Sequence, residues 1–458
     1  MRPRTLAAVA TAVASVFLAA ACSSSGSSGG GSGGTSVLNW WTWDPNQAAA
    51  YQVCANAFEK ANPGVTVKIS QYDVSDYFTK ITADMVAGDA PDAFQDSVQY
   101  FPGFAAQGQL LALDQDISSS HYDLSQFSVG VNAWKYTDGK QYGLPLDWAA
   151  TAVYYNEGLL KKAGYTQQDI DSLAWNPTNG GTFGKMIAHL TVDKNGVRGD
   201  QPGFNKNDVA VYGIGVLNSD DFIGQVTWGD LAPTTGWNWG NKADWPTQIN
   251  YDSPQFVQTM DWIKSLAADG YMPPFGEYTQ ANGQASVSDT VLLGSSKVAM
   301  TMGGSWEVST FAKLPGITTG IAPTPTGPDG TRKVMSNSNG NTIWSGTKNP
   351  QLTWKWVSYM GSAQCQTMAA EKNGSFFPSI SSAMNAMSAY VAKQGTNLHV
   401  FTQYEQQDSL YGAPAYENGT ALQAAEQPLL DEFFDGSAGN SIFATMQSKA
   451  SSVLSSGS

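Results

Sequence analysis

Two periods alternate in the hydrophobic pattern of the chain, one of two residues and one of about three and a half. Val37-Leu38-Asn39-Trp40-Trp41-Thr42-Trp43 is a run of aliphatic and aromatic residues that favours a strand. Tyr51, Cys54 and Phe58 then recur at helical spacing until Asn62-Pro63-Gly64 stops the helix. Val65-Thr66-Val67-Lys68-Ile69 alternates like a strand, and Ser75 is placed to cap a helix whose inner face is Phe78, Ile81 and Met85. Pro91-Asp92-Ala93-Phe94 reads as another short strand. This order predicts a parallel sheet covered by helices on both faces. In such sheets ligands gather beyond the carboxyl ends of the strands.

The same grammar continues downstream. Val153-Tyr154-Tyr155 predicts a strand, and residues 157–163 a helix closed by Gly164. Ser253-Pro254 opens a helix with apolar positions Val257, Met260, Ile263, Leu266 and Ala267, ended by Gly270. Lys297-Val298-Ala299-Met300 reads as a strand, and Asn349-Pro350 starts a helix through Trp354, Val357 and Met360. Residues 175–250, rich in Gly, Asn, Asp and Trp, read mostly as loop, and long irregular loops are often functional.

At 458 residues the chain exceeds one domain of about 100–200 residues. Its formal net charge of −14 argues against nucleic acid, which needs a basic face. The three histidines, His121, His189 and His399, are far apart, which leaves little material for a His-rich metal site. Aromatic residues are abundant while ionisable ones are few, a balance that suits an uncharged ligand. No metal or cofactor is expected. Gly213-Ile214-Gly215 lacks the third glycine of a dinucleotide fingerprint, and Asp193-Lys194-Asn195-Gly196 with Asp200 misses the EF-hand spacing. No phosphate-binding P-loop occurs, and G-x-S-x-G occurs only within the Ser/Gly stretch 26–34, which is no strand-to-helix elbow.

The first residues read as an address. Arg2 and Arg4 precede an apolar run over 6–21, too short to span a membrane and of signal-peptide length. Residues 1–21 are therefore expected to be a signal peptide. Leu18-Ala19-Ala20-Ala21-Cys22 resembles a bacterial lipobox, in which the cysteine is lipidated, although Leu18 stands four rather than three residues before Cys22. Ordinary cleavage near Ala21, giving a free secreted protein, is the alternative. Residues 22–36, almost entirely Ser and Gly, would be the tether. In an oxidising location Cys54 and Cys365 fit either a disulfide or two buried thiols.

Several segments together resemble the extracellular solute-binding proteins of ABC sugar importers, of the maltodextrin-binding type. They are Asp84-Met85-Val86-Ala87-Gly88-Asp89-Ala90-Pro91-Asp92-Ala93-Phe94, Gly108-Gln109-Leu110-Leu111-Ala112-Leu113-Asp114, Gln141-Tyr142-Gly143-Leu144-Pro145, Tyr154-Tyr155-Asn156, Gly304-Ser305-Trp306 and Ile321-Ala322-Pro323-Thr324-Pro325. Trp175-Asn176-Pro177 and Val192-Asp193-Lys194-Asn195-Gly196 look like features of the actinobacterial branch. The resemblance implies an α/β fold of the two-lobed periplasmic-binding type (type II), with a hinge and an interlobe cleft. It implies lobe one over 37–148 and 290–345, and lobe two over 149–289 and 346–458. It also implies a non-catalytic receptor, lipid-anchored at the outer face of the cytoplasmic membrane. Its partners would be a di- or oligosaccharide and the permease subunits, with the membrane touched only through the anchor, and it would act as a monomer.

A sugar offers apolar C–H faces and a rim of hydroxyls, so flat aromatic side chains flanked by carboxylates or amides are the residues to seek. Trp41, Trp43 and Asp44 follow the first strand, Tyr72 the second, and Asp96 and Tyr100 the third. Asp147 and Trp148 follow the Gly-Leu-Pro run, Tyr154 lies in the next strand, and Gly304 and Trp306 stand in the returning block. Trp228, Trp237 and Trp239 lie in the irregular segment and Asn337 in a Ser/Asn/Gly stretch. Trp40 and Trp41 are adjacent, so a strand points one of them into the core. A secreted glycoside hydrolase, which pairs aromatic platforms with two carboxylates, is the competing function.

Overall fold

The computed structural model describes residues 35–455 apart from 218–222, 243–244, 278–286, 375 and 413. The expected signal peptide, Cys22 and nearly all of the Ser/Gly tether lie outside the described residues. Among the described residues twelve strands follow in order. They are β1 Ser36–Thr42, β2 Val65–Gln71, β3 Ala93–Ser97, β4 Gly143–Ala149, β5 Thr151–Asn156 and β6 Val192–Asp193. The remainder are β7 Val209–Ile214, β8 Val298–Gly304, β9 Thr319–Ala322, β10 Val334–Ile343, β11 Phe377–Pro378 and β12 Leu410–Gly412.

They form two sheets. The first has the order β11-β4-β10-β3-β1-β2, with β12 on β10, and the second β6-β7-β8-β5-β9. β1 pairs in parallel with β2 and β3 as the strand-helix alternation predicts. The first sheet is nevertheless mixed, because β10 enters antiparallel to both β3 and β4. That late strand returns from the second sheet, so it carries no crossover helix to force it parallel.

Strand pairing divides the stretch 290–345, which was expected whole in the first lobe. β8 and β9 pair with β5 in the second sheet, and only β10 belongs to the first. The C-terminal part divides too. Helices Pro350–Met360 and Ala363–Asn373 pack on the first sheet, whereas Gly419–Phe434 and Ile442–Ser455 bury Leu422, Leu430, Phe433 and Phe443 in the core of the second. Among the described residues three crossings therefore join the halves. β4 runs into β5 through Ala150 alone, β9 leads to β10, and helix His399–Gln406 leads through β12 to helix Gly419–Phe434.

Alternation along β1 sends its two adjacent tryptophans to opposite faces. Trp40 packs edge-on to Tyr51 and donates through Nε1 to Asn341 Oδ1 at 2.7 Å. Trp41 packs with Tyr77, Ile81 and Phe94. Both faces are thus core. Between the sheets a third apolar cluster contains Trp148, Ala152, Tyr154, Phe377 and Phe401. Helix Pro254–Ala268 begins where the sequence marks it, with Ser253 accepting from Phe256 N and Pro254 in the first turn. The segment 175–250 holds more regular structure than its composition suggests. Helix Gly181–Leu190 buries Phe183, Met186, Ile187 and Leu190, and β7 includes Gly213 and Ile214.

Cys54 and Cys365 form a disulfide, with sulfurs 2.02 Å apart and Cα atoms 5.3 Å apart. It ties helix Pro45–Ala61 to helix Ala363–Asn373 across 311 residues of sequence. A link closing so long a loop removes much freedom from the unfolded chain. Cys54→Ala with Cys365→Ala is expected to lower unfolding free energy by about 2–5 kcal/mol in a denaturant titration, and an unchanged midpoint would contradict this.

Candidate functional site

The crossings leave a cavity of about 820 Å³ beside β10 and β12. Its wall is drawn from both halves. The first contributes Val98, the stretch from Ser128 to Ala133 and Tyr136, while the segment before helix Pro254–Ala268 contributes Trp245. Ser336, Asn337 and Ser338 come from β10, and Tyr411 from β12. Tyr136 and Trp245 meet edge to face with ring centroids 5.4 Å apart. Lys135, which is exposed, is the one charged side chain in the wall among the described residues. The space is therefore bounded by aromatic rings, hydroxyls and an amide, with little fixed charge.

Next to Tyr136, whose hydroxyl reaches Glu417, two backbones of the two halves meet almost without side chains. A Cβ on Gly419 would stand 2.4 Å from Gln99 O, and one on Gly103 would stand 2.9 Å from Glu417 O. Glycine at both positions is what lets helix Phe101–Ala106 of the first half approach helix Gly419–Phe434 of the second. Two hydrogen bonds flank the contact. Tyr100 donates from its hydroxyl to Gln423 Oε1 at 3.3 Å, and Tyr136 donates to Glu417 Oε1.

Of the residues expected to hold a ligand, Asn337 alone lines this cavity. Several others are core, and the expectation for them is corrected. Trp228, Trp237 and Trp239 pack on one another and on Tyr251 and Phe256, so the irregular segment buries its aromatics without any periodic face. Trp148 is fully buried against Phe377, and Tyr154 is stacked on Phe311 with its hydroxyl given to Gly304 O. Trp41 is covered by Tyr72, whose ring centroid is 4.6 Å away, and by Lys80. Half-buried Tyr100 stacks on Phe78 at 3.7 Å. Trp43 packs edge-on to Tyr77, and Trp306 lies over Gly304 at the end of β8, both half-buried and outside the cavity wall.

The carboxylates have structural work as well. Asp44 caps helix Pro45–Ala61 by accepting from the backbone N–H groups of Asn46 and Gln47. Asp96 is fully buried, accepting from Ser97 N and from the Thr342 hydroxyl, and burial holds its carboxyl well above the usual range. Asp147 is buried between Gln47 Nε2 and Asn339 Nδ2, the latter at 2.8 Å. Desolvation pushes its carboxyl up to about 7 against the pull of those two donors. Burial likewise raises Asp230 and Glu307 to about 7 and Glu426 to about 8. Among the described residues no cluster of His, Cys, Asp or Glu is placed to hold a metal ion.

Sequence reasoning passed over Tyr136, Trp245 and Tyr411. Tyr136 stands before the turn Thr137-Asp138-Gly139, just upstream of the Gly-Leu-Pro run, and that position was a readable signal. Trp245 takes a positive φ of 54°, which nothing in its sequence announces.

Comparison with known proteins bears on this arrangement. A family model described as bacterial extracellular solute-binding protein matches residues 54–397. The maltodextrin-binding protein MdxE of Bacillus subtilis is 26% identical over 303 residues, which is 66% of this chain and 64% of the relative, so under two thirds of that protein is spanned. A maltooligosaccharide ABC transporter solute-binding lipoprotein of Streptococcus pneumoniae is 24% identical over 324 residues, 69% of this chain and 66% of the relative. The crystal structure of UspC from M. tuberculosis superposes with a TM-score of 0.71 at 25% identity, covering 91% of this chain and all of that one. The two-lobed α/β architecture expected from the sequence is thus the observed one.

The buried carboxyls give the fold a definite pH dependence. Asp147, Asp230, Glu307 and Glu426 are raised above their unfolded values, so between about pH 4 and 8 the folded state binds more protons than the unfolded one. Their stabilising effect is complete at the acidic end and lost as pH rises through 7. Carboxylates with lowered values, such as Asp123 and Asp169, act below about pH 4 and leave this window untouched. The melting temperature is expected to fall from pH 5 to pH 8 in calorimetry, and Asp147→Asn to flatten that slope. A rise over the same interval would contradict the assignment.

Proposed function

The chain belongs to the family of bacterial extracellular solute-binding proteins, and we propose that it is an exported receptor that encloses an oligosaccharide between its two halves. It then delivers the sugar to the permease subunits of an ABC importer. The observation that carries this reading is the cavity of about 820 Å³ at the chain crossings, walled by Tyr136, Trp245, Tyr411 and polar uncharged groups. Its volume lies within the range of about 300–1,000 Å³ usual for small-ligand sites. Aromatic faces suit the C–H surfaces of a pyranose, and the serines and Asn337 suit its hydroxyls. Relatives named for binding maltodextrin and maltooligosaccharide support the same ligand class. Members of this family are receptors rather than catalysts, which sets aside the glycoside hydrolase alternative.

The address at the N-terminus completes the reading. Cys22 after the apolar run would carry lipid and the Ser/Gly tether would hold the receptor at the outer face of the cytoplasmic membrane, a placement supported by the lipoprotein relative. No helix among the described residues is long and apolar enough to cross a membrane. One receptor molecule would serve one cycle of capture and release, its two halves parting at the Gly103–Gly419 contact to admit the ligand and meeting again around it.

A thermal-shift screen against maltotriose, lactose and mannobiose tests the reading. A ligand at 100 times its Kd stabilises the folded state by about 2.7 kcal/mol, a clear rise in melting temperature. No shift with any of the three, or release of new reducing ends, would contradict it. The closing contact gives a second test, since Gly419 lies outside the cavity wall. Gly419→Val places carbon where Gln99 O stands, so sugar affinity is expected to fall about tenfold or more while the variant remains folded. Unchanged affinity in calorimetry would show that the two halves need not meet.

A further inference from the structure

The strand that carries Tyr411 into the cavity wall has little ladder to hold it. β12 is three residues long, and its one ladder among the described residues is with Val334, Met335 and Ser336 of β10. So short a strand is marginal by its own pairing. The chain enters it from helix His399–Gln406 through Gln407, Asp408 and Ser409 alone. Asp408 takes a φ of 51°, Ser409 N donates to Tyr404 O at 3.0 Å, and Val334 N donates to Ser409 O at 2.9 Å. This tight turn hands the position of Gln407 on to Tyr411.

One side chain reaches both segments that lead into the ladder. Arg332 stands just before β10, and its Nε donates to Thr324 O on the crossing that leaves β9. Its Nη1 donates to Gln407 Oε1 at 3.3 Å, just before β12. The guanidinium lies over the ring of Tyr404, 5.9 Å from its centroid, and the fully buried Tyr404 accepts from Thr324 N at 2.9 Å through its hydroxyl. Thr324, Arg332, Tyr404 and Gln407 thus close a ring of contacts around the lead-ins of both strands. Both groups that Arg332 donates to are neutral. The guanidinium therefore works by shape, as a planar fork whose fixed donors address two acceptors on different segments. None of the four residues lines the cavity.

We propose that Arg332 is a positioning residue for the sugar cavity, one that binds the second and third crossings into a single unit and so fixes Tyr411 of β12 opposite Met335 of β10. The wall residues Ser336, Asn337, Ser338 and Tyr411 then keep one mutual arrangement before a sugar arrives. A wall ordered in advance leaves less side-chain and loop freedom to lose on binding. Asp230 and Gly229 hold the same pair of strands from the second half, accepting from Met335 N and from the Tyr411 hydroxyl. Arg332 supplies what those bonds do not, a tie between the two lead-ins. This inference rests on the oligosaccharide reading and extends it to residues outside the cavity wall.

The test uses Arg332→Met, which keeps an apolar stem and removes the fork, together with Tyr411→Ala and the double variant. Affinity is measured by calorimetry for the tightest binder among maltotriose, lactose and mannobiose. Arg332→Met is expected to weaken binding about fivefold or more alone, and by a smaller factor beside Tyr411→Ala, because it acts through that ring. Hydrogen exchange without sugar is expected to quicken over residues 409–412 and to stay level in helix Pro254–Ala268. Gln407→Met, at an exposed position, is expected to move both readouts the same way and decides the matter should Arg332→Met fail to fold. Should Tyr411→Ala bind too weakly to titrate, exchange decides. Unchanged exchange over 409–412, a loss of affinity under about fivefold for Arg332→Met alone, or an equal or larger factor beside Tyr411→Ala overturns the inference and leaves the receptor reading standing. Failure of the unaltered protein to bind any of the three sugars overturns the oligosaccharide reading and this inference with it.

Discussion

The two sheets share a seam that is one residue wide. β4 ends at Ala149 and β5 begins at Thr151, so the chain passes from one sheet to the other through Ala150. β10 returns beside β4 and is tied back to the second half by Asp230, whose Oδ1 accepts from Met335 N at 2.7 Å. Everything else follows from that narrow attachment. Each half has a core, and a third apolar cluster with Trp148, Tyr154 and Phe377 lies at the seam between them, so the seam is the place about which the proposed movement would turn. A space beside that axis is where the proposed opening and closing would act.

What lies at the seam is polar and buried, an expensive combination in a region that could have been apolar. Asp147 with Gln47 and Asn339, Asp230 with Met335 N, and the Gln225–Asn337 hydrogen bond all sit on or against the crossing strands. Directional bonds admit fewer arrangements than apolar contacts do, so they specify the register of β4 against β10. The closing side has the opposite character. Two glycines and two tyrosine hydroxyls form a small contact, which suits the proposed release of a ligand.

Much of the fold was legible because its signals are local. Ser253-Pro254, the stop at Asn62-Pro63-Gly64 and the alternation of β2 depend on neighbours in sequence and stand where they were expected. The site was less legible for the same reason. Tyr136, Trp245 and Tyr411 are far apart along the chain and meet only because three crossings bring their segments to one seam. Trp228, Trp237 and Trp239 misled because burial without periodicity looks like exposure, although 3-10 turns and short bridges can bury rings as well as a helix can. Asp44 misled differently. A carboxylate past a strand end also stands at the start of the following helix, and Pro45 in the first turn was the sign that capping claims it.

The central claim is that a sugar is held by bringing the two halves together about the seam. Small-angle scattering of the full exported chain, with and without saturating maltotriose, tests it most directly. The account predicts a smaller radius of gyration in the sugar complex, with the change abolished in Gly419→Val. Tight binding of the sugar with identical scattering in both states would contradict it.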